Sequence, residues 1–167
     1  MIEIKRLSAQ TVNSTEVRLL LLQQSPGDTR EISATELEGV LSNPQFYLFV
    51  ATLSDESDSN YIGMASIFFQ RNLARWIAEI HDVVVDENHR GLGTGEQLIR
   101  QILKTAQQFS IDRQVKIKLF LTCRPSRTAA NALYQKVGFT LVSKSAGEWG
   151  TNLYKIIVEP QGIRGLS

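Results

Sequence analysis

The chain has 167 residues, enough for a single domain to bury a core without disulfides or structural metal. Its 43% hydrophobic and 21% charged residues exclude a disordered chain, and 18 basic against 17 acidic side chains leave a formal charge of +1, which gives no electrostatic footprint for nucleic acid. The lone Cys123 excludes a disulfide framework, and with two histidines it cannot assemble a zinc set of the usual spacing, so no metal is expected.

Met1 to Leu7 alternates Ile2 and Ile4 with Glu3 and Lys5 and predicts a strand. The same segment lacks the apolar stretch of a signal peptide, and no apolar run approaches bilayer length, so a cytoplasmic protein without a membrane partner is expected. Ala9 to Gln24, with Val12, Val17 and the run from Leu19 to Leu22, predicts a helix stopped by Ser25-Pro26-Gly27-Asp28. Ser33 and Glu36 form a capping-box pattern for a second helix ending near Asn43-Pro44. Gln45 to Leu53 is aromatic and β-branched, hence a strand. Ser54 to Asn60 reads as a polar turn, with Tyr61 to Phe69 the returning strand. Arg75 to Asp86 is a further strand, and its run Ile80, Val83, Val84, Val85 predicts cover on both faces.

Glu96 to Phe109 sets Leu98, Ile99, Ile102, Leu103, Ala106 and Phe109 on one helical face. Val115 to Thr122 alternates as a strand, and Ser126 to Val137 is a helix ended by Gly138. Phe139 to Val142 and Leu153 to Val158 are the last strands, joined by a loop around Trp149. A loose tail follows from Pro160. The order β, α, α, β, β, β, α, β, α, β, β predicts an α/β (α+β) fold. It is a single mixed, mostly antiparallel sheet of about seven strands with about four helices, forming one domain over 1–160 with a flexible tail at 161–167.

The informative stretch is Val83-Val84-Val85-Asp86-Glu87-Asn88-His89-Arg90-Gly91-Leu92-Gly93-Thr94-Gly95-Glu96, where a strand runs through a glycine-rich turn into an amphipathic helix. Such a turn aims unpaired backbone N–H groups and the positive end of a helix at one point, and phosphate is the usual guest. A P-loop would need Gly-Lys-Ser/Thr at the helix start, where Gly95-Glu96-Gln97 stands. A dinucleotide fingerprint would need glycine at the sixth position from Gly91, which is Glu96, and no residues between strand and turn, where Asp86 to Arg90 intervene.

Arg90-Gly-Leu-Gly-Thr-Gly resembles the Arg/Gln-x-x-Gly-x-Gly/Ala pyrophosphate loop of the GNAT N-acetyltransferase superfamily. The resemblance extends to the preceding Val-Val-Val-Asp strand end, the following helix and the later segment Asn131-Ala-Leu-Tyr134-Gln-Lys-Val-Gly138-Phe139. It covers the central and C-terminal half, and Leu121 to Asn131 looks like the corresponding segment of bacterial members. It implies the acyl-CoA N-acyltransferase fold and direct transfer of an acetyl group from acetyl-CoA to a primary amine of a small molecule or peptide.

By that resemblance, Gly91, Leu92, Gly93, Thr94 and Gly95 would cradle the pyrophosphate through their backbone, with Arg90 adding charge. The Val83, Val84 and Val85 edge would take the pantetheine arm as an extra strand, one N–H near Val84 polarising the thioester. A β-bulge would splay that edge from Val115 to Thr122. Asn131 would bond the pantetheine amide, and Tyr134 would protonate the leaving thiolate as general acid, since a phenol stays protonated at neutral pH. Arg127, Asn131 and Tyr134 share a face at i, i+4 and i+7. Glu79, and then His81, are the candidate bases, two apart on one strand face. Asp82 points the other way unless a bulge intervenes.

Cys123 ends a strand near this site, but it reads as a small buried residue rather than a nucleophile. Trp76, Phe46, Phe68 and Trp149 are expected in the core or lining the acceptor pocket. That pocket should come from Ser25 to Asn43 and Gly147 to Asn152. The acceptor amine is not specified by the sequence, and a homodimer is possible on the resemblance. The competing reading is a non-catalytic acyl-CoA-binding regulatory module on the same fold.

Overall fold

Residues 1–25, 27, 32–54, 60–145 and 150–164 are described by the computed structural model of the chain. The expected strand at the start is β1, Ile2–Leu7. The first helix, α1, is shorter than its apolar pattern suggests and spans Ser14–Gln24. Local hydrogen bonds claim the segment before it: Thr11 N donates to Ser8 O at 3.1 Å and Ser8 N to the Thr11 hydroxyl at 3.0 Å. Such side-chain bonds compete with helix formation. Asn13 then caps α1, its carbonyl oxygen accepting from Thr15 N and Glu16 N. The proposed stop at Ser25 holds as the C-cap, while Pro26 and Asp28 lie outside the described residues.

Helix α2, Ala34–Leu41, begins with the expected capping box: Ser33 N donates to the Glu36 carboxylate at 2.8 Å and Glu36 N to the Ser33 hydroxyl at 3.2 Å. Strands β2 (Phe46–Leu53), β3 (Gly63–Arg71) and β4 (Trp76–Val85) follow, then a 3₁₀ turn at Glu87–His89 and α3, Thr94–Arg113. The chain ends with β5 (Ile117–Cys123), α4 (Thr128–Lys136), β6 (Thr140–Ser143), β7 (Asn152–Glu159) and β8 (Gly162–Arg164). Strand order in the mixed sheet is β1-β2-β3-β4-β5-β7-β6, with β8 paired to β7. The pairings β1 to β2, β2 to β3, β5 to β7, β6 to β7 and β7 to β8 are antiparallel, whereas β4 and β5 run parallel.

Two expectations change. Gly162–Arg164, placed in a loose tail, is a strand. Gln107 Nε2 holds the carbonyls of Glu159 and Pro160 at 2.8 and 3.2 Å, and Arg164 makes a two-pronged bond to the Glu159 carboxylate, so the turn into β8 is pinned. Residues 165–167, and the loop residue Trp149, lie outside the described residues. The valine run of β4 is also less enclosed than expected: Val84 is buried, but Val83 and Val85 are half-buried and His81 is exposed.

The chain divides into two compact units, Met1–Phe68 with His81–Ile102, and Phe69–Ile80 with Leu103–Ser167. In the first, Val17 and Leu20 of α1 and Leu37 and Leu41 of α2 bury against Leu48, Val50, Met64 and Val84. In the second, Phe69 stacks on Phe109 with ring centroids 3.9 Å apart, and Trp76 meets Phe109 edge-on at 5.0 Å. Trp76 is therefore a packing residue. Within the first unit, Gly63 marks a close approach. A Cβ there would sit 3.0 Å from Val84 O, 3.2 Å from a Thr94 methyl and 3.3 Å from Leu98.

Because the nearest of those atoms is backbone, Gly63→Ala forces β3 away from the end of β4 and the first turn of α3. We expect a loss of about 1–3 kcal/mol in chemical denaturation, as overpacked cores show; a variant as stable as the wild type would mean the contact relaxes freely.

Candidate functional site

The loop after β4 is built to leave donors open. Asp86 ends the strand region with its N–H on Ile62 O at 3.0 Å, and its carboxylate then caps the 3₁₀ turn. One carboxylate oxygen accepts from Asn88 N at 3.0 Å and meets His89 Nδ1 at 2.7 Å; the other takes Gln23 Nε2 from α1 at 2.7 Å. Gln23 returns its own carbonyl oxygen to Glu87 N at 3.0 Å. Burial works against the ionised Asp86, but the bonds from Gln23, His89 and the Asn88 N–H outweigh it and hold its pKa below the ordinary 3.8.

Beyond this clasp, Gly91 and Gly93 take φ of +84° and +82°, conformations that cost other residues energy, and open space surrounds both. Gly91, Leu92 and Gly93 are exposed, and Thr94 starts α3 as a buried residue. The first backbone bond of α3 runs from Gln97 N to Gly93 O, so the N–H groups of Thr94 and Gly95 stand at the start of the helix, outside its ladder. The Thr94 hydroxyl is buried with no partner among the described residues. Glu96, whose charge opposes an anion here, is paired with Arg100 at 2.8 Å. Arg90 lies exposed beside the loop, its Nε 3.5 Å from Val85 O. These donors fit a diphosphate-sized anion.

Upstream, Asp82 interrupts β4 with φ of +53°, the irregularity expected of a bulge. The parallel ladder to β5 pairs Trp76–Glu79 with Ile117–Phe120, the first four residues of each strand. Glu79 is half-buried and His81 exposed. The irregular backbone turns Asp82 into a cavity of about 1040 Å³ shared with α1, α2, Phe46 and Phe68. Of Glu79, His81 and Asp82, it is Asp82 that lines this cavity. Neither Gln23 nor Gly63 was found from sequence, because a single glutamine in a helix and a single glycine in a strand carry no pattern; the irregular conformation of Asp82 gives no sequence signal either.

In the second unit, Tyr134 is the buried residue of α4, 4% exposed, against Phe139 and Tyr154 at centroid distances of 6.2 and 5.7 Å. Burial, and then the neighbouring Cys123, push its phenol well above the usual tyrosine range. Burial likewise raises the Cys123 thiol, which leaves it protonated and a poor nucleophile. Asn131 is held within the protein. Its Nδ2 donates to Arg124 O and Arg127 O at 2.9 and 2.8 Å, and its Oδ1 accepts from Tyr154 OH and Asn152 Nδ2 at 2.7 and 2.9 Å. All four hydrogen-bonding positions of the amide are filled from within the protein.

Comparison with known proteins agrees with these features. The family model described as acetyltransferase (GNAT) family matches residues 16–139. An N-acetyltransferase of Bacillus subtilis, YobR, is 35% identical over 65 residues, 39% of this chain; the chain spans 24% of that relative's length. Among solved structures, a GNAT-family acetyltransferase from Streptococcus pneumoniae superposes with a TM-score of 0.72 at 18% identity, covering 95% of this chain and 99% of that one. An aminoglycoside acetyltransferase from an uncultured soil metagenomic sample, in complex with trehalose, gives 0.70 at 20% identity over 89% and 95%. The NatC complex bound to Gag peptide and CoA gives 0.71 at 16% identity over 95% and 98%. At these identities the superpositions speak for the fold. None of the described helices is long and apolar enough to cross a membrane.

The clasp predicts an acid-dependent stability. Because the folded pKa of Asp86 is depressed, its contribution is complete above the unfolded value near 3.8 and fades as the pH falls through the lower folded value. Asp86→Asn should therefore lower stability at pH 7 but change it little at the most acid pH where the fold survives; a constant difference across the whole range would mean that charge plays no part.

Proposed function

Because the chain belongs to the acetyltransferase (GNAT) family, we propose that it is an N-acetyltransferase of a single domain over 1–160, moving the acetyl group of acetyl-CoA directly onto a primary amine of a small molecule or peptide. The observation that carries this reading is the exposed loop of Gly91, Leu92 and Gly93 at the start of α3, with two glycines at positive φ and the N–H groups of Thr94 and Gly95 outside the helix ladder. The amides from Gly91 to Gly95 receive the pyrophosphate, and the Arg90 guanidinium adds charge to the same anion. The backbone of Val83, Val84 and Val85 pairs with the pantetheine arm, and the N–H near Val84 polarises the thioester carbonyl.

The reaction joins the amine nitrogen to the thioester carbon and breaks the carbon–sulfur bond, the electron pair leaving on sulfur. Tyr134 supplies the proton that converts the departing thiolate to thiol. A phenol kept above its usual range remains protonated throughout the working pH, so it carries the proton and cannot act as the base. The amine surrenders one proton, through Glu79 or His81, or to water. Asn131 ties the start of α4 to β7 and so fixes the helix that carries Tyr134, and on binding the cofactor it exchanges one of these bonds for the pantetheine amide. A regulatory acyl-CoA-binding module would share the loop but has no use for the phenol.

Calorimetry with acetyl-CoA on the wild type and on Gly93→Asp tests the loop. The variant places a like charge at the anion and a side chain at positive φ, and should weaken binding by more than about tenfold. No binding by the wild type would overturn the reading. Tyr134→Phe should keep acetyl-CoA affinity and lower kcat by about 100-fold. With the acid protonated beyond the ordinary tyrosine range, the wild-type kcat should show no decline from this group up to about pH 10. An unchanged kcat in Tyr134→Phe would return Tyr134 to a packing role.

A further inference from the structure

The cavity beside Asp82 carries more chemistry than the acceptor reading has used. Its apolar wall comes from Leu21, Leu22, Val40, Phe46 and Phe68, and the two phenylalanine rings lie tilted with centroids 6.4 Å apart. Its charged lining among the described residues is Arg18, Glu36 and Asp82, and Gln24, Ser25 and Asn43 add neutral polar groups. Arg18 and Glu36 offset each other in sign, and the Glu36 carboxylate already serves the capping box. Asp82 is different. It is half-buried, the buried Ser66 hydroxyl donates to its Oδ2 at 2.8 Å, and its Oδ1 takes no hydrogen bond from the described residues. A half-buried carboxylate with one oxygen open, set in an apolar wall, is a seat for a single cation.

We propose that this cavity binds a primary monoamine carried on an apolar, aromatic body, with the ammonium against Asp82 and the body against Phe46 and Phe68. A polycation such as a polyamine or an aminoglycoside needs several free carboxylates, and among the described residues it would meet Asp82 beside a Glu36 that the capping box already engages and the Arg18 guanidinium. That the bound amine is then acetylated rests on the transferase reading above; that it binds does not. Burial of a phenyl group contributes about 1.5–3 kcal/mol, equivalent to a factor of about 10–150 in affinity.

The test is calorimetry with phenethylamine and with spermidine, each with and without CoA, followed by initial rates with acetyl-CoA. Phenethylamine should bind at least about tenfold more tightly than spermidine and give the higher kcat/KM. Asp82→Asn keeps an acceptor for Ser66, and asparagine tolerates the left-handed backbone, so the fold should survive. It should weaken phenethylamine by about tenfold and leave CoA affinity unchanged. Val40→Glu, at a position 40% exposed on α2, should narrow the preference toward spermidine. Equal or tighter binding of spermidine, or unchanged phenethylamine affinity in Asp82→Asn, overturns the proposal. So does CoA binding with neither amine bound, which leaves the transferase reading standing. Amine binding without CoA binding sinks that reading and upholds this one.

Discussion

A loop can present its backbone amides outward only if something else fixes its ends, and here the Asp86 carboxylate does so. Its two oxygens hold a side chain from α1, a ring nitrogen and a backbone N–H at 2.7–3.0 Å. A free glycine loop of the same sequence would lose conformational entropy on meeting an anion. With the segment up to His89 already bound to α1 through Gln23, that cost falls on folding instead, and the exposed stretch from Arg90 to Gly93 is short. Gly63 completes the arrangement from the other side by letting the first turn of α3 approach β3.

The two units treat their polar groups in opposite ways, and the contrast separates binding from support. Around α3 the N–H groups of Thr94 and Gly95 stand outside the helix ladder, and the buried Thr94 hydroxyl has no partner among the described residues. Around α4 the reverse holds. Asn131 has each donor and each lone pair satisfied by protein atoms. An asparagine and a tyrosine three residues apart on one helix therefore serve unlike ends: the first holds the helix and the second is buried by it.

What was legible in the sequence follows from what periodicity and turn chemistry record. The apolar face of α3 emerged residue by residue, because Leu98, Ile99, Ile102, Leu103, Ala106 and Phe109 are all buried. The Ser33–Glu36 box and the Arg90–Gly95 loop were equally plain, since both depend on local residue types. The start of α1 was not, because the turn at Ser8–Thr11 is a contest between helix propensity and side-chain hydrogen bonds that a pattern cannot weigh. Strand β8 was missed because its stability comes from Gln107, more than fifty residues away in sequence.

Asp82 shows where strand alternation itself ceases to predict. Two-residue periodicity assigns a side chain to a face only while φ stays extended, and a single residue at +53° resets the assignment for its own side chain. Glu79 and His81 precede that reset and keep the alternation expected of them, half-buried and exposed. Asp82 alone escapes it and turns its carboxylate into the cavity, where Ser66 holds it. Aspartate tolerates this conformation better than a β-branched residue does, so a valine, common elsewhere on this strand, would not take its place without strain. The backbone irregularity at Asp82 is thus what supplies the cavity with its charge.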